Sequence, residues 1–455
     1  MKDVRIEVPR KARFIVNTIM AAGYEAYVVG GCVRDSILGR TPQDWDITTS
    51  ATPQQVKALF PRTLDTGLQH GTVTVMQDKE GFEVTTYRID GEYEDSRHPR
   101  EVIFTPNLEE DLKRRDFTIN AMAYNEEIGL VDLFGGMRDL QEGIIRCVGN
   151  AEERFAEDAL RMLRAIRFSA QLGYSIEEKT RAAIRLMAPT LSRISAERIQ
   201  VELVKMMVSD HPDYLREAYA LGVTKVFLPE FDACMETGQH NPHHRYSVGE
   251  HILHSCLEVG PDKVLRLTML LHDIAKPGTL TVDKKGISHF YGHAEVGRRM
   301  AEKILRRLKF DNHTTQTVCT LVKYHDHDTG VKEEPTLQSA RRFMNKIGAE
   351  YCPALFAVKR ADILAQSDYR RQEKLERLHR WEELYEQICR ENQCVSLKQL
   401  AVTGKDLIGA GMKPGKELGE VLQFLLRQVL DDPSLNEREI LLRMAKDFCS
   451  RHHIL

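Results

Sequence analysis

The sequence predicts an α+β fold, in which a mixed α/β N-terminal head is followed by an elongated all-α region. Strand-like runs are confined to about residues 24–148, and apolar residues at helical spacing continue from Ala151 nearly to the end. The chain has 455 residues, more than one hydrophobic core usually supports. We therefore expect two to four domains.

The head is predicted from three β-rich runs, at residues 27–29, 71–76 and 82–87. A short helical pattern at residues 53–60 lies between them. Alternation along the last run places Glu83, Thr85 and Tyr87 on one face of its strand. The mixture of short strands and helices is typical of an α+β head.

Loop-like breaks divide the helical region at residues 237–244, 276–278 and 413–415. Strands are expected to stop after Asn150. The predicted organisation is therefore a head, a helical neck, a second helical domain and a helical tail, with boundaries at 1–148, 149–235, 236–375 and 376–455.

Composition excludes several classes of protein. Hydrophobic residues make up 42% and charged residues 29%, and no stretch approaches the ~20 apolar residues of a membrane span. The first residues show no apolar run followed by a small-residue cleavage site, so we expect a cytoplasmic protein. Nine cysteines without CxxC pairs indicate reduced thiols rather than a zinc ribbon.

The net charge is only −3, so any nucleic-acid partner must be held by local basic patches. Such patches are also found on ordinary solvated helix faces. The candidates are Lys113-Arg114-Arg115, Arg306-Arg307-Leu308-Lys309, Arg341-Arg342 and Arg370-Arg371.

A candidate reaction centre follows the first apolar strand. Gly30 and Gly31 let the backbone approach a phosphate, and Arg34 can reach its charge. Asp44 and Asp46 are two residues apart, so in an extended segment both carboxylates point to one face and can share divalent ions. Hard oxygen ligands suit Mg²⁺ and the transfer of a nucleotide from a triphosphate. Glu83, on a later strand, is the candidate third carboxylate.

A second candidate region is a helix that carries Asp158, Arg161, Arg164 and Arg167 at every third position. These residues form a slanting stripe, and apolar residues fill the other half of the helix. A carboxylate accepts from an exocyclic amine, and a guanidinium donates to a ring acceptor. Adenine and cytosine both present an amine beside an acceptor, so an Asp-Arg pair could read either base.

The motifs GGCVRD, DWD, RRDFTINAMA and EDALRMLRAIRF occur in this order between residues 30 and 168. This order resembles that of the class II CCA-adding tRNA nucleotidyltransferases and bacterial poly(A) polymerases. Weaker likeness at residues 193–199 and 403–407 extends it to nearly the whole chain.

The resemblance implies a polymerase β-like head that adds CCA to tRNA 3′ ends from CTP and ATP. It implies that Asp44 and Asp46 bind Mg²⁺, that Gly31, Arg34 and Arg115 contact the nucleotide, and that Asp158 and Arg161 lead the selection of CTP and then ATP. The tRNA partner, and the assignment of the neck and the tail to RNA binding, rest on this resemblance.

A charged segment at residues 91–100 has no apolar period, so we predict a loop. In the resembled family a loop at this place is needed to switch from adding C to adding A, and enzymes that add only CC lack it. The segment thus argues for complete CCA addition or for A addition.

Histidines and aspartates in the helical region suggest a second metal site. His251, the pair His272-Asp273 and Asp362 occur in this order, with His293 and His325 between them. Imidazoles with carboxylates suit Mn²⁺, Ni²⁺, Fe²⁺ or Mg²⁺ better than structural zinc. The set of His251, His272, Asp273 and Asp362 resembles the HD phosphohydrolase superfamily, which implies a possible phosphodiesterase or phosphatase activity.

Three alternatives to CCA addition remain open from the sequence. The chain could be an A-adding enzyme or a bacterial poly(A) polymerase that uses the same head. It could also be an HD phosphohydrolase whose head binds nucleotide as a regulator. A non-catalytic RNA-binding protein would use only the basic helical faces.

Overall fold

A computed structural model describes residues 4–90, 102–327 and 333–452. The chain divides into two compact units, Met1–Asp232 and Ala233–Leu455. The predicted boundary near residue 236 lies close to this division. Within the described ranges, no helix combines the length and the hydropathy that a bilayer-spanning segment needs.

The first unit contains a seven-stranded sheet, as the β-rich runs predict. Its strands and those of the small two-stranded ladders are β1 (Ala26–Val29), β2 (Ile47–Thr49), β3 (Thr63–Gly67), β4 (Thr72–Gln77), β5 (Glu80–Thr86), β6 (Arg88–Asp90), β7 (Val102–Phe104), β8 (Met122–Asn125), β9 (Gly129–Asp132), β10 (Ile144–Ile145) and β11 (Ser175–Ile176).

The strand order in the sheet is β3-β4-β5-β2-β1-β8-β9. Strands β2 and β5 are parallel, and the other neighbours are antiparallel. Strand β1 lies near the middle of the sheet and is buried along its whole length, which fits its uninterrupted apolar sequence. The sheet therefore fixes the backbone immediately before the glycine pair.

Helices of the first unit cover the sheet and form the neck. They are α1 (Arg10–Ala21), α2 (Gly31–Ile37), α3 (Pro53–Leu59), α4 (Leu108–Lys113), α5 (Gly136–Glu142), α6 (Ala151–Glu157), α7 (Leu160–Leu172), α8 (Glu178–Met187), α9 (Ala196–Met207), α10 (Leu215–Ala220), α11 (Thr224–Phe227) and α12 (Pro229–Met235), with 3₁₀ turns at Leu68–His70, Thr118–Asn120, Ala188–Arg193 and Pro212–Tyr214.

The N-terminal part of this unit follows its sequence closely. Helix α1 buries Ala12, Ile15, Val16 and Ile19, which are spaced three and four residues apart and therefore share one face. Helix α3 begins after Thr52, whose hydroxyl accepts from the Gln55 amide, with a proline at the first turn. The helical pattern predicted at residues 53–60 is confirmed.

Two details of the sequence prediction are wrong. Tyr87 does not share the face of Glu83, because β5 ends at Thr86 and the Tyr87 side chain is fully buried. Strands also do not stop at Asn150, since β11 pairs with β10. The predicted loop at residues 91–100 lies outside the described residues, and its flanks β6 and β7 pair antiparallel.

The second unit is almost entirely helical, as predicted. Its elements are α13 (Val248–Leu257), α14 (Lys263–Leu271), α15 (Lys276–Thr279), β12 (Leu280–Val282), β13 (Ser288–Phe290), α16 (His293–Arg307), α17 (Asn312–Tyr324), α18 (Leu337–Ile347), α19 (Cys352–Ala365), α20 (Arg371–Arg390), α21 (Gly404–Gly409), α22 (Lys416–Asp431) and α23 (Arg438–His452), with 3₁₀ turns at Ala349–Tyr351, Leu397–Gln399 and Pro433–Leu435.

The predicted boundary between residues 375 and 376 is not a structural break, because it falls inside α20. One hydrophobic core contains Phe343 and Leu355 from before this point and Val421 and Leu441 from after it. Amphipathic helices on both sides bury their apolar faces in this one core, so the predicted boundary does not separate two cores.

Two further predictions in this unit need correction. Lys276-Pro277-Gly278 begins the short helix α15 instead of a loop, because proline is tolerated in a first helical turn. Arg341 belongs to a predicted basic patch but is buried, and it donates to the carbonyls of Leu430 and Asp431. Its charge therefore serves the fold and is not available to a nucleic acid.

Candidate active site and a second metal-competent cluster

The glycine turn brings Arg115 against the end of β1. Gly30 has φ +82° and ψ −128°, a conformation that side-chain-bearing residues rarely adopt, and α2 begins at Gly31. A Cβ atom at Gly30 would lie 3.1 Å from Nη1 of Arg115. Glycine is thus needed here both for the turn and for the close approach of the guanidinium.

Sheet register places Asp46 beside Glu83. Asp46 immediately precedes β2, and its carbonyl accepts from the Val29 amide at 2.9 Å. Strands β2 and β5 are parallel with Ile47 opposite Val84, so the residues one step earlier, Asp46 and Glu83, are also neighbours. Asp44, Asp46 and Glu83 are all exposed to solvent, so a ligand can reach them.

The electrostatics of this group favour a bound cation. The pKa of the Asp46 carboxyl is raised, first because surrounding protein desolvates it and then because Glu83 and Asp44 repel its charge, although Arg115 opposes the shift. In the described part of the chain, the three carboxylates do not form a set with all donor oxygens within 4.8 Å of one another. Hard oxygen donors whose mutual repulsion Arg115 offsets only in part fit a divalent ion such as Mg²⁺.

Arg115 is the principal cation facing this acidic group. Its Nη2 lies 3.6 Å from the buried carboxylate of Asp111. Burial lowers the pKa of Arg115, while Asp111 and Asp46 act against the shift. The sequence assigns Arg115 to nucleotide contact, and the structure brings it to both the glycine turn and Asp46.

Arg34 is held inside the head instead of extending freely from the turn. Its Nε donates to Asp35 at 2.8 Å and its Nη1 donates to the side chain of Asn120 at 2.7 Å. Its guanidinium also lies 5.0 Å from the centre of the Phe168 ring on α7. The contact of Arg34 with a triphosphate stays a prediction.

The predicted single helix through Asp158 is interrupted at that residue. Helix α6 ends at Glu157, Asp158 is extended with φ −144°, and α7 begins at Leu160. The Asp158 carboxylate accepts from the Leu160 amide at 3.0 Å and from Arg198 at 2.6 and 3.2 Å. It therefore caps the break, with an orientation that Arg198 fixes.

The three arginines of the stripe lie on α7, as predicted, and the apolar residues opposite them are buried. They are nevertheless engaged with protein groups. Arg161 contacts Glu157 and donates to the Arg114 carbonyl at 3.1 Å. Arg164 donates to Asp116 at 2.6 Å. Arg167 is buried and donates to Glu202 at 2.6 Å.

Asp116 connects the glycine turn to this helix. Although burial alone would raise the pKa of its carboxyl, Arg164 and Asn120 lower it to about 2. One oxygen accepts from the Asn120 amide at 3.1 Å, and Asn120 in turn accepts from Arg34. These contacts therefore connect Arg34 at the glycine turn to Arg164 on α7, which are 130 residues apart in the sequence.

Sequence reasoning did not assign Asp116, Asn120, Phe168, Arg198 and Glu202 to this site. Four of them lie within the family motifs: Asp116 and Asn120 in RRDFTINAMA, Phe168 in EDALRMLRAIRF, and Arg198 in the run 193–199. Their contacts with one another could not be predicted, because these contacts depend on which side chains the fold brings together.

A cluster of histidines and aspartates forms in the second unit. The Nε2 of His251 lies 2.9 Å from Asp362 and 3.5 Å from Asp273. The Nε2 of His272 lies 3.3 Å from both Asp273 and the Nε2 of His251. Folding therefore brings the four predicted ligands together from α13, the end of α14 and α19.

A second set shares Asp273. The other oxygen of this carboxylate lies 3.4 Å from Nε2 of His293 and 3.6 Å from Nε2 of His325. Both metal-competent sets, His251 with His272 and Asp362, and Asp273 with His293 and His325, have all their donor atoms within 4.8 Å of one another. Asp273 stands between the sets with one oxygen toward each.

The histidine tautomers direct lone pairs into the cluster. The Nδ1 atoms of His272, His293 and His325 donate to the main-chain carbonyls of Met269, Phe290 and Val322 at 2.7 to 2.8 Å. In the neutral ring, Nε2 is then unprotonated. The Nε2 atoms of His293 and His325 are only 3.2 Å apart, so two lone pairs face each other and a cation between them would relieve the repulsion.

Three family models match the chain. The Poly A polymerase head domain matches residues 26–146, the probable RNA and SrmB-binding site of polymerase A matches residues 173–235, and the putative domain 2 of tRNA nucleotidyltransferase matches residues 279–445. The first of these covers the glycine turn, the three carboxylates and Arg115.

One relative matches nearly the whole chain, and another matches part of it at higher identity. The CCA-adding enzyme of Levilactobacillus brevis is 35% identical over 437 residues, which are 96% of this chain and 97% of that protein. A match to the CCA-adding enzyme of Lactiplantibacillus plantarum is 54% identical over 201 residues, which are 44% of this chain but only about half, 49%, of that relative's length.

A solved structure shows the same architecture. The crystal structure of the Bacillus stearothermophilus CCA-adding enzyme in complex with CTP covers 98% of both chains, with 29% identity and a TM-score of 0.73. The resemblance inferred from the ordered motifs is confirmed. With the head geometry, the three domain models and a full-length relative in agreement, this chain belongs to the family of CCA-adding tRNA nucleotidyltransferases.

Proposed function

We propose that this enzyme completes tRNA 3′ ends by adding CCA from CTP and ATP, with Asp44, Asp46 and Glu83 as its reaction centre. The observation that carries the assignment is the meeting of Asp46, Glu83 and Arg115 at the glycine turn of a head of this family. Mg²⁺ held by Asp44 and Asp46 would supply Lewis-acid activation.

In each transfer, the tRNA 3′ oxygen bonds to the α-phosphorus of the nucleotide. The bond to the pyrophosphate oxygen breaks, and the hydroxyl proton passes to a base or to solvent. Arg115 is placed to neutralise the phosphates of the incoming nucleotide, because it lies beside both the turn and Asp46. Gly31 and Arg34 would hold the triphosphate at the start of α2.

For base selection we propose Asp158 and Arg161, with Arg164 and Arg167 beside them. Arg198 holds both oxygens of Asp158, so the carboxylate has a fixed direction in which to accept from an exocyclic amine. Because the arginines are already paired with protein acids, their donors are oriented before a base arrives. Because its proposed substrate is tRNA, we expect the enzyme to act in the cytoplasm.

The proposal is tested with tRNA that lacks its CCA end. We expect the purified chain to incorporate two C residues and one A when CTP and ATP are supplied with Mg²⁺, as resolved by gel electrophoresis of labelled tRNA. Incorporation of A without C would instead identify an A-adding enzyme or a poly(A) polymerase. Chelation of divalent ions should stop incorporation completely.

The two ligand sets favour a second activity. We propose that the second unit is a phosphohydrolase of the HD type, with one divalent ion held by His251, His272, Asp273 and Asp362 and a second held by Asp273, His293 and His325. Mn²⁺, Ni²⁺ and Fe²⁺ suit this mixture of imidazoles and carboxylates. Three Nε2 atoms with defined lone pairs support the proposal.

The chemistry expected there is phosphoester hydrolysis. The oxygen of water bonds to phosphorus, the bond from phosphorus to the ester oxygen breaks, and that oxygen takes the proton which water loses. With a 2′,3′-cyclic phosphate, this opens the ring to a phosphomonoester and a free hydroxyl. When bound, the ions would supply the Lewis acid that activates water.

Metal content provides a direct check. In a chain with Asp44→Ala and Asp46→Ala, which removes the proposed head ligands, we expect two Mn²⁺ ions per chain by elemental analysis and a coupled-pair signal by electron paramagnetic resonance. His325→Ala should retain one ion and give an isolated-ion signal. As a control, His379→Ala, which replaces an exposed histidine, should still bind two ions.

Binding of one ion by the unmodified second unit would contradict the shared-carboxylate arrangement, and binding of none would contradict the metal site itself. Hydrolysis of 2′,3′-cyclic nucleotides with Mn²⁺ or Ni²⁺ should be lost in His272→Ala, because this residue contributes a buried ligand. A wild type no faster than this variant would remove the phosphohydrolase assignment.

A further inference from the structure

The metal-competent cluster reaches solvent at Asp362 and at His293. Asp362 and His293 are the most exposed of its six side chains, at 18% and 13%, and the other four are 2% exposed or less. Any substrate that reaches the cluster past Asp362 must meet the residues that follow α19. These residues, 366–374, include the predicted basic patch Arg370-Arg371.

A short chain of hydrogen bonds connects Asp362 to Lys374. The Gln366 amide nitrogen donates to Asp362 at 3.1 Å, and the Gln366 amide oxygen accepts from the Lys374 ammonium at 2.6 Å. The Gln366 side chain therefore bridges Asp362 and Lys374 and fixes the distance of the ammonium from the cluster. Lys374 is not itself a ligand, because an ammonium has no lone pair to offer.

Lys374 carries a charge that its surroundings do not neutralise by contact. Among the described residues, its ammonium has one hydrogen-bond partner, the neutral amide of Gln366. Burial lowers its pKa, and Arg370 and Arg371 lower it further, although Asp362 attracts the charge. Arg370 and Arg371 are each paired with an acid, Glu373 and Asp368. An anion that binds here would therefore interact more strongly with Lys374 than with Arg370 or Arg371.

His243 packs against the segment that precedes α20. The Ser367 amide donates to the His243 carbonyl at 2.9 Å, and the Tyr369 ring packs edge-on against the imidazole with centroids 4.9 Å apart. Burial lowers the pKa of His243, and the charges of Lys374 and Arg370 lower it further. The loop before α13 and the start of α20 thus form one rim.

The backbone at this rim is strained. Arg370 has φ +54°, a left-handed conformation that is uncommon for a residue other than glycine, asparagine or aspartate. It stands directly before α20 and allows the chain to turn, so that Lys374 points back toward Gln366. The strain shows that the surrounding contacts determine the position of this segment.

We propose that Lys374, with His243 and Arg370 beside it, forms an anion subsite that binds a phosphate group next to the one hydrolysed at the cluster. The substrate is then a phosphoester that carries a second phosphate. Gln366 acts as the positioning residue that sets the spacing between the two. This inference rests on the proposed phosphohydrolase, but binding at the subsite can be measured without hydrolysis.

Binding is tested on the full chain after its metals are removed with a chelator. Calorimetry compares the affinities for adenosine 5′-phosphate and adenosine. We expect Lys374→Gln to reduce the preference for the phosphate-bearing ligand by about tenfold. Lys374→Arg should retain most of it, and the exposed control Lys416→Gln should leave it unchanged. The head is identical in all variants, so their difference reports on the second unit.

An unchanged preference in Lys374→Gln would overturn the subsite, whether or not the chain hydrolyses phosphoesters. Absence of hydrolysis by the wild-type chain, with the phosphate preference still reduced in Lys374→Gln, would instead contradict only the phosphohydrolase. The two proposals therefore fail separately.

Kinetics on the Mn²⁺-loaded chain then define the substrate. For adenosine 2′,3′-cyclic phosphate 5′-phosphate, Lys374→Gln should raise KM about tenfold with little change in kcat. For adenosine 2′,3′-cyclic phosphate, which lacks the second phosphate, KM should change less than about twofold. Equal effects on both substrates would overturn the assignment to a neighbouring phosphate.

A third substrate, tRNA ending in a 2′,3′-cyclic phosphate, distinguishes the source of the second phosphate. A lower KM for the tRNA than for the nucleotide, lost in Lys374→Gln, assigns the subsite to the RNA backbone. A lower KM for the nucleotide, lost in the same variant, assigns it to free nucleotides.

Discussion

Replacing Asp46 by asparagine is expected to reduce nucleotide transfer to tRNA by about 10³-fold or more, because it removes a charged ligand at the centre of the acidic group. Asparagine has nearly the same shape, so the register of β2 beside β5 should remain. The loss should appear in kcat, measured by incorporation of labelled CMP and AMP at saturating nucleotide.

The matched control for this variant is Asp65→Asn. Asp65 is an exposed aspartate of the same unit, paired with Lys57 on the surface, and its replacement should leave transfer within about twofold. Transfer by Asp46→Asn at the wild-type rate would exclude the proposed reaction centre. If transfer is lost while hydrolysis at the second cluster persists, the two activities reside in separate sites, and a purely regulatory head is excluded.

The second large effect is expected at Asp116. Asp116→Asn removes the negative charge that faces Arg164, so the first unit should lose about 3 kcal/mol of stability. The asparagine keeps the volume of the side chain, and the loss therefore measures charge more than packing. Urea denaturation provides the measurement, with both proteins carrying Trp381→Phe so that fluorescence reports on Trp45 in the first unit.

Asp116 also predicts a pH dependence of stability. The pKa of this carboxyl is about 2 in the folded protein, below its usual value of 3.8. The unfolded state therefore binds a proton more readily, and the stabilisation of about 2 kcal/mol is complete above about pH 5 and lost as the pH falls from about 4 toward 2. Asp116→Asn should lack this part of the slope, and an identical slope in both proteins would contradict the pairing.

The family and the fold class of this chain can be inferred from its sequence alone. The order of the motifs identified the family, since glycines at a turn, aspartates two residues apart and arginines on a helix are local features that side-chain type and spacing reveal. The sequence also predicted the α+β head and the helical remainder, because hydrophobic periodicity indicates which face of a helix or strand is buried. The pair Asp44 and Asp46 and the set His251, His272, Asp273 and Asp362 were predicted as candidate metal ligands from the same local features.

Which of these residues contact one another became clear from the folded chain and not from the sequence. Asp158 joins Arg198 and interrupts its helix, Asp116 joins Arg164, and the carboxylate of Asp273 stands between two ligand sets. His293 and His325 were visible in the sequence, but nothing in their spacing showed that their nitrogens lie 3.2 Å apart. Such pairings arise between elements far apart in the chain, and periodicity carries no information about which faces fold against each other.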